Sequence, residues 1–442
     1  MHKGIKKVRF SGKTKQKFHI YIVYNSVFVY LCRKYNHKTK MKRVYLAIVA
    51  AIAALSFTSC SQHEITIDQN IPAGNIVFEQ ISNDTVYVHQ DLRGSKKPWF
   101  YWAFRVKGAE GKRLTFVFTQ TYAVSPRGPL VSLDRGKSYE YLAEEGSTDF
   151  QFTYTFPKRA KEVWFYECHP YTPEMWEAFL KRPHKGKFET GILCKSPKGR
   201  EVPFLRMTPQ NQKPKLSVVI SGRHHCSESS VMYVAEGLIA TFLEDSELGE
   251  WLRENIELTA VPFVDMDGAV EGDQGKWRTP HDHNRDYTEF LYPETAALAS
   301  LIAETEPDIY LDFHNPGLRK KHNYVYTPHK AEMHPIEPAF SLLLEKYQEG
   351  NFGYTVADDM PFGVGWNTAK NYTDGLSAAN WVNINIKSAK VARTIEIPFT
   401  FAKETRVYPS NMREFGHGIA RTLKAFAEGE ADEILKQLQS KK

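Results

Sequence analysis

From about residue 75 to 180 the chain is written in short alternating runs. Phe150, Phe152, Tyr154 and Phe156 alternate with Gln151, Thr153 and Thr155, and Leu114, Phe116 and Phe118 repeat the same period of two. Such runs, separated by Gly, Asp and Lys turns, predict an antiparallel β-sandwich over 75–185. Its aromatic stretches WFYWAF (99–104) and VWFY (163–166) read as core in preference to a sugar-binding face. From about 190 the texture changes. LSVVI (216–220), LTAVPFV (258–264), IYLDF (309–313) and ARTIEI (392–397) are continuous apolar runs, the pattern of strands buried on both faces. After the first, Val231, Val234, Leu238 and Phe242 recur at helical spacing. The expectation is an α/β domain over 190–428, a mixed and largely parallel sheet flanked by helices, followed by a solvated or frayed tail over 429–442.

The N-terminal part follows neither pattern. Starting at Met41 it reads MKRVYLAIVAAIAALSFTSC: two basic residues, an apolar run from Val44 to Leu55, then small residues ending at Cys60. This is the layout of a secretory signal peptide over 41–59, and the run is shorter than the ~20 residues of a membrane span. Cys60 after Thr58-Ser59 resembles a bacterial lipobox, which implies lipidation at Cys60, a tether over 60–74 and a place in the bacterial cell envelope. Residues 1–40 then read as a doubtful leader. This changes the meaning of the charge. The 442 residues carry a formal +7, which suggests a nucleic-acid partner. Residues 1–59, however, hold thirteen basic and no acidic side chains, and without them the balance is about −6. The basicity belongs to an export signal, and nucleic acid is excluded as a partner. Of the remaining cysteines, Cys168, Cys194 and Cys226 form no CxxC and predict neither a disulfide framework nor a Cys-rich metal site.

The residues suited to chemistry fall just beyond the ends of the apolar strands, where open α/β sheets bind their ligands. SGRHHCSES (221–229) places His225 and Glu228 three apart at an expected helix start, where an imidazole and a carboxylate can share a metal. His314 closes the strand IYLDF and needs a polar partner. DHNRDY (282–287) offers Asn284 and Arg285, the latter a planar fork suited to a carboxylate. Glu396 is an acid inside an apolar strand, costly unless it has a function. His224, His281 and His283 lie nearby, and His224 reads as a pocket wall or as support behind a ligand. Lys387, Lys390 and Arg393 read as solvated surface.

In this order, HxxE, NR, His and a late Glu resemble the zinc metallocarboxypeptidase family. YWAFRVKG, GPLVSLDRG and FYECHPYTPEMW resemble the β-sandwich that precedes the catalytic domain in its cytosolic carboxypeptidase-like branch. The resemblance implies one Zn2+ held by His225, Glu228 and His314, with Asp282 orienting the first histidine. It implies that Asn284 and Arg285 hold the substrate's terminal carboxylate, that Arg278 polarises the scissile carbonyl, and that Tyr372 is a mobile substrate-binding residue. Glu396 would be general base on the zinc-bound water and then proton donor. The implied activity is removal of a C-terminal residue from a peptide. Two alternatives stand beside it: a zinc amidase of the same fold acting on cell-wall peptides or N-acyl amino acids, and an inactive glycan- or peptide-binding lipoprotein.

Overall fold

The sandwich strands form as the alternation dictates, because period-two sequences bury one face only. The computed structural model describes residues 64–125, 128–142, 147–318, 324–326, 334–348 and 354–440. The signal peptide, Cys60 and the leader expected over 1–59 lie outside the described residues. Nine strands come first: β1 (Thr66–Asp68), β2 (Val77–Ser82), β3 (Thr85–His89), β4 (Ala103–Lys107), β5 (Arg113–Phe118), β6 (Leu130–Ser132), β7 (Glu140–Tyr141), β8 (Gln151–Thr155) and β9 (Glu162–Tyr166). They make two sheets, ordered β1-β4-β9-β6-β7 and β2-β3-β5-β8. All pairs are antiparallel except β3 with β5, which run parallel. The aromatic stretches supply the core: Phe116 lies 4.9 Å from Phe152 and Phe104 lies 5.4 Å from Phe165, centroid to centroid. One expectation is corrected here. Residues 66–68, read as tether, pair with β4, and Arg105 holds Asp68 at 2.9 Å. A polar strand needs no alternation when it only edges a sheet.

Helix α1 (Pro173–Leu180) leads into β10 (Glu189–Lys195), β11 (Glu201–Met207) and β12 (Leu216–Gly222). Then follow α2 (Met232–Leu243), α3 (Glu247–Asn255), β13 (Ile256–Val261), α4 (Met266–Glu271), α5 (Pro293–Thr305), β14 (Ile309–His314) and β15 (Tyr324–Tyr326). The chain continues through α6 (Glu337–Tyr347), α7 (Ala378–Asn385), β16 (Val391–Glu396), the hairpin β17 (Phe401–Ala402) and β18 (Thr405–Arg406), α8 (Pro409–Ala427) and α9 (Glu430–Ser440). The large sheet is ordered β10-β11-β13-β12-β14-β16-β15, with β13, β12, β14 and β16 parallel at its centre. Their runs are apolar throughout because both faces are covered. Val218 and Ile220 pack with α2, α6 and α8, whereas Val219 and Tyr310 pack with α5 and α7.

From Glu64 on, the described residues form one compact unit. The sandwich is sewn to the sheet domain by hydrogen bonds to its backbone. Asn75 Nδ2 donates to the Gly272 carbonyl at 2.7 Å, Lys96 N to Trp277 O at 3.0 Å, and Thr279 N to Gly94 O at 2.9 Å. Gly272 ends α4 with φ +73, and a Cβ there would stand 2.2 Å from the Ala73 carbonyl oxygen. Gly272→Ala therefore meets both a left-handed backbone and a clash, together about 2–4 kcal/mol. Thermal unfolding should record a Tm several degrees lower, and an unchanged Tm would mean that the junction yields freely.

Candidate metal and hydrolytic centre

Strand β12 ends at Gly222, and the chain turns at Arg223, whose φ is +61. The buried Arg223 guanidinium fixes that turn, with Nε donating to Cys226 O at 2.6 Å and Nη1 to Tyr171 O at 2.7 Å. These bonds delay the helix, and α2 begins only at Met232. His225 and Glu228 thus sit in turns ahead of the helix, not at its start. At the end of β14, His314 lies directly across from Glu396 of β16 in the parallel register.

Three donors converge at this edge. His225 Nδ1 is 2.9 Å from Glu228 Oε1, and His314 Nδ1 is 2.6 Å from Glu228 Oε2. The opposite nitrogens are backed by carboxylates: His225 Nε2 donates to Asp282 Oδ1 at 3.1 Å, and His314 Nε2 to Asp312 Oδ2 at 2.8 Å. Two imidazoles and a carboxylate, each imidazole steadied by an acid behind it, are the donor set and support that a catalytic divalent cation uses. Asp282 stands where the sequence placed it. Asp312 was missed, although its position two residues before His314 on one strand puts both side chains on the same face.

A second triad, His224, Asp312 and His314, also comes within ligand distance. His224 is fully buried and already committed, donating from Nδ1 to Asp312 Oδ1 at 2.9 Å and receiving the Tyr287 hydroxyl on Nε2 at 2.6 Å. It braces the acid behind His314 and does not line the cavity described next.

His225, Glu228, His314 and Glu396 face a cavity of about 430 Å³. Burial and the neighbouring Glu228 carboxylate push Glu396 up to about 7. Its Oε2 has no hydrogen-bond partner among the described residues. Burial would raise Glu228 too, but His225 and His314 hold it below the usual range. The opposite wall carries Asn284, Arg285 and Tyr372, and the sandwich adds Trp99 and Tyr122. Asn284 Oδ1 accepts from Ala378 N at 3.0 Å, and its Nδ2 lies 3.1 Å from His314 Nε2. Arg285 is anchored by Nε to Asn371 O at 2.7 Å and stands 5.0 Å from the centre of the Tyr372 ring. Tyr372 donates its hydroxyl to Asn367 Oδ1 at 2.8 Å.

Arg278 is placed differently from the expectation. Its Nη1 lies 2.8 Å from Asp265 Oδ2 and 2.7 Å from Asp273 Oδ2, and it lines a neighbouring cavity of about 610 Å³ instead. Lys276, which the sequence did not single out, lines both cavities. Arg393, expected on the surface, is 1% exposed and paired with Glu337 at 2.9 Å, while Lys390 is exposed and pairs with Asp308. Cys168, Cys194 and Cys226 are free thiols.

No family model matches the chain. By sequence it is similar to cytosolic carboxypeptidase 2 of Mus musculus, 27% identical over 302 residues, which cover 58% of this chain and 34% of that protein. The protein of the same name from Danio rerio is 25% identical over 245 residues, 50% of this chain and 34% of that one. The match thus spans about a third of the length of these relatives. Among solved structures, a metallo-carboxypeptidase from Burkholderia cenocepacia superposes with a TM-score of 0.68 at 17% identity, covering 82% of this chain and 99% of that one. A metallo-carboxypeptidase from Pseudomonas aeruginosa, in complex with (2-guanidinoethylmercapto)succinic acid, gives 0.67 at 20% identity over 82% and 99%. The chain therefore has the metallocarboxypeptidase fold, sandwich included, and a sequence similar to that of the cytosolic carboxypeptidases.

Proposed function

We propose that this protein is a zinc-dependent hydrolase that removes a C-terminal residue from a peptide. The observation that carries the reading is the convergence of His225, Glu228 and His314 beside a buried Glu396, in a cavity that also holds Arg285. A zinc ion held by the first three would supply Lewis acidity to the carbonyl and acidify water. The protein's own groups do the rest. Arg285, with its guanidinium plane set by Asn371 and Tyr372, receives the terminal carboxylate, and Asn284 shapes the adjoining wall. Glu396 accepts a proton from the attacking water and hands it to the departing amine, a task suited to a carboxyl pushed up to about 7. Asp282 and Asp312 keep the two imidazoles oriented and electron-rich. The same chain would be exported and held at the bacterial envelope by lipid on Cys60, a reading supported by the twelve-residue apolar run before it.

Turnover of a library of C-terminally varied peptides and muropeptides tests the reaction. With stoichiometric zinc, Glu396→Gln should lower kcat about 10²–10⁴-fold without loss of metal. Cleavage confined to muropeptides would favour the amidase reading, and zinc binding with no Glu396-dependent turnover would sink the enzyme. Asp312→Asn should weaken zinc binding about 10–100-fold, measured by competition with a chromogenic chelator. An affinity equal to that of the parent would remove Asp312 from the metal's support. Cys60→Ser should move the protein from the membrane fraction to the soluble one, and retention at the membrane would overturn the lipid anchor.

A further inference from the structure

The aromatic stretch WFYWAF is core almost throughout: Phe100, Tyr101, Trp102 and Phe104 are all buried. Trp99 is the exception. It is half-buried and lines the cavity beside His225, Glu228 and His314, together with Tyr122 of the sandwich and Trp277 of the sheet domain, which are half-buried as well. The rings of Trp99 and Trp277 stand 4.9 Å apart at 89°, a right-angled corner in the cavity wall. Two indoles left partly open in this way suit an apolar or aromatic group that would cover them.

The corner is fixed from both sides. A Cβ at Gly275, whose φ is +76, would lie 2.7 Å from Cys226 N and 3.1 Å from His225 Cα, so the segment leading to Trp277 rides directly on the turn that carries His225. Trp277 itself has φ +52, a conformation rare for a bulky side chain and kept only where surrounding bonds enforce it. Those bonds run from Lys96 N to Trp277 O at 3.0 Å and from Thr279 N to Gly94 O at 2.9 Å. Trp99 is backed by Phe100 at 4.6 Å, and Phe100 by Phe399 at 5.1 Å, three residues beyond Glu396. The corner thus joins the turn of His225 to the segment that follows Glu396, at the rim where sandwich and sheet domain meet.

A peptide with its terminal carboxylate on Arg285 and its scissile carbonyl at His225, Glu228 and His314 runs outward past that rim. The first upstream side chain to meet the corner is that of the penultimate residue. We propose that Trp99 and Trp277 are specificity-determining residues, a subsite for an aromatic or large aliphatic side chain at the penultimate position. This rests on the hydrolase reading above. Lys97, with Nζ 5.4 Å from the centre of the Trp277 ring, offers the rival chemistry, an acidic side chain.

The test uses the full-length, zinc-loaded protein and N-acetylated tripeptides with one fixed C-terminal residue and Phe, Leu, Ala or Glu before it. In the parent, kcat/KM for the Phe and Leu peptides should exceed that for the Ala peptide about 10–50-fold. Trp99→Ala, matched to the parent for Tm and zinc content, should bring this ratio down to about 1–3, and Trp99→Phe should keep part of it. Calorimetry on the Glu396→Gln protein, which should bind these peptides with little cleavage, should rank their affinities in the same order. A parent ratio near one, a preference for the Glu peptide, or a ratio untouched in Trp99→Ala would overturn the proposal. If no peptide is cleaved while the affinity order holds and is lost with Trp99→Ala, the hydrolase reading falls and the subsite stands.

Discussion

Three carboxylates and two imidazoles, all largely buried, hold each other at the edge of one sheet. Glu228 stands between His225 and His314, and Asp282 and Asp312 stand behind them. Ionised groups buried this deeply are costly unless each meets an opposite partner. The three acids exceed what the two imidazoles neutralise, so a divalent cation held by His225, Glu228 and His314 would relieve the whole cluster. The surrounding architecture follows from that electrostatic requirement. Parallel pairing sets His314 across from Glu396, Arg223 pins the turn that brings in His225, and Tyr287 with His224 fixes Asp312.

The parts of this arrangement that were legible in the sequence share a physical reason. LSVVI, LTAVPFV, IYLDF and ARTIEI could be read because strands covered on both faces must be apolar at successive positions. They contribute to β12, β13, β14 and β16. His225, Glu228, His314 and Glu396 could be read because polar residues beyond the ends of such strands, or inside them, form together a pattern that no one of them makes alone. The sandwich was legible through its alternation, although the parallel pairing of β3 with β5 leaves no trace in periodicity.

What escaped was decided by contacts between distant segments. Arg278 and Lys276 are two residues apart in GKWR, and nothing local says which one faces the cavity. The choice is made by Asp265 and Asp273, which capture the arginine, and by the bare Cα of Gly275 against the His225 turn. Arg393 looks solvated in its own stretch, yet Glu337 and Asp359 wait for it from elsewhere in the chain. Strand β1 reads as a tether in the sequence because a short polar edge strand resembles a linker in every respect but its partner.

The seam between sandwich and sheet domain runs along residues 272–279, the stretch that forms one rim of the cavity. Trp99 and Tyr122 reach that cavity from the sandwich side of the seam. A rim stitched by main-chain bonds from both bodies cannot swing as a hinge without breaking them. On this side the mouth of the cavity is a fixed wall. For the peptidase proposed above, selection among peptides would fall in part to that wall, which would make the sandwich a co-author of specificity and not an appendage.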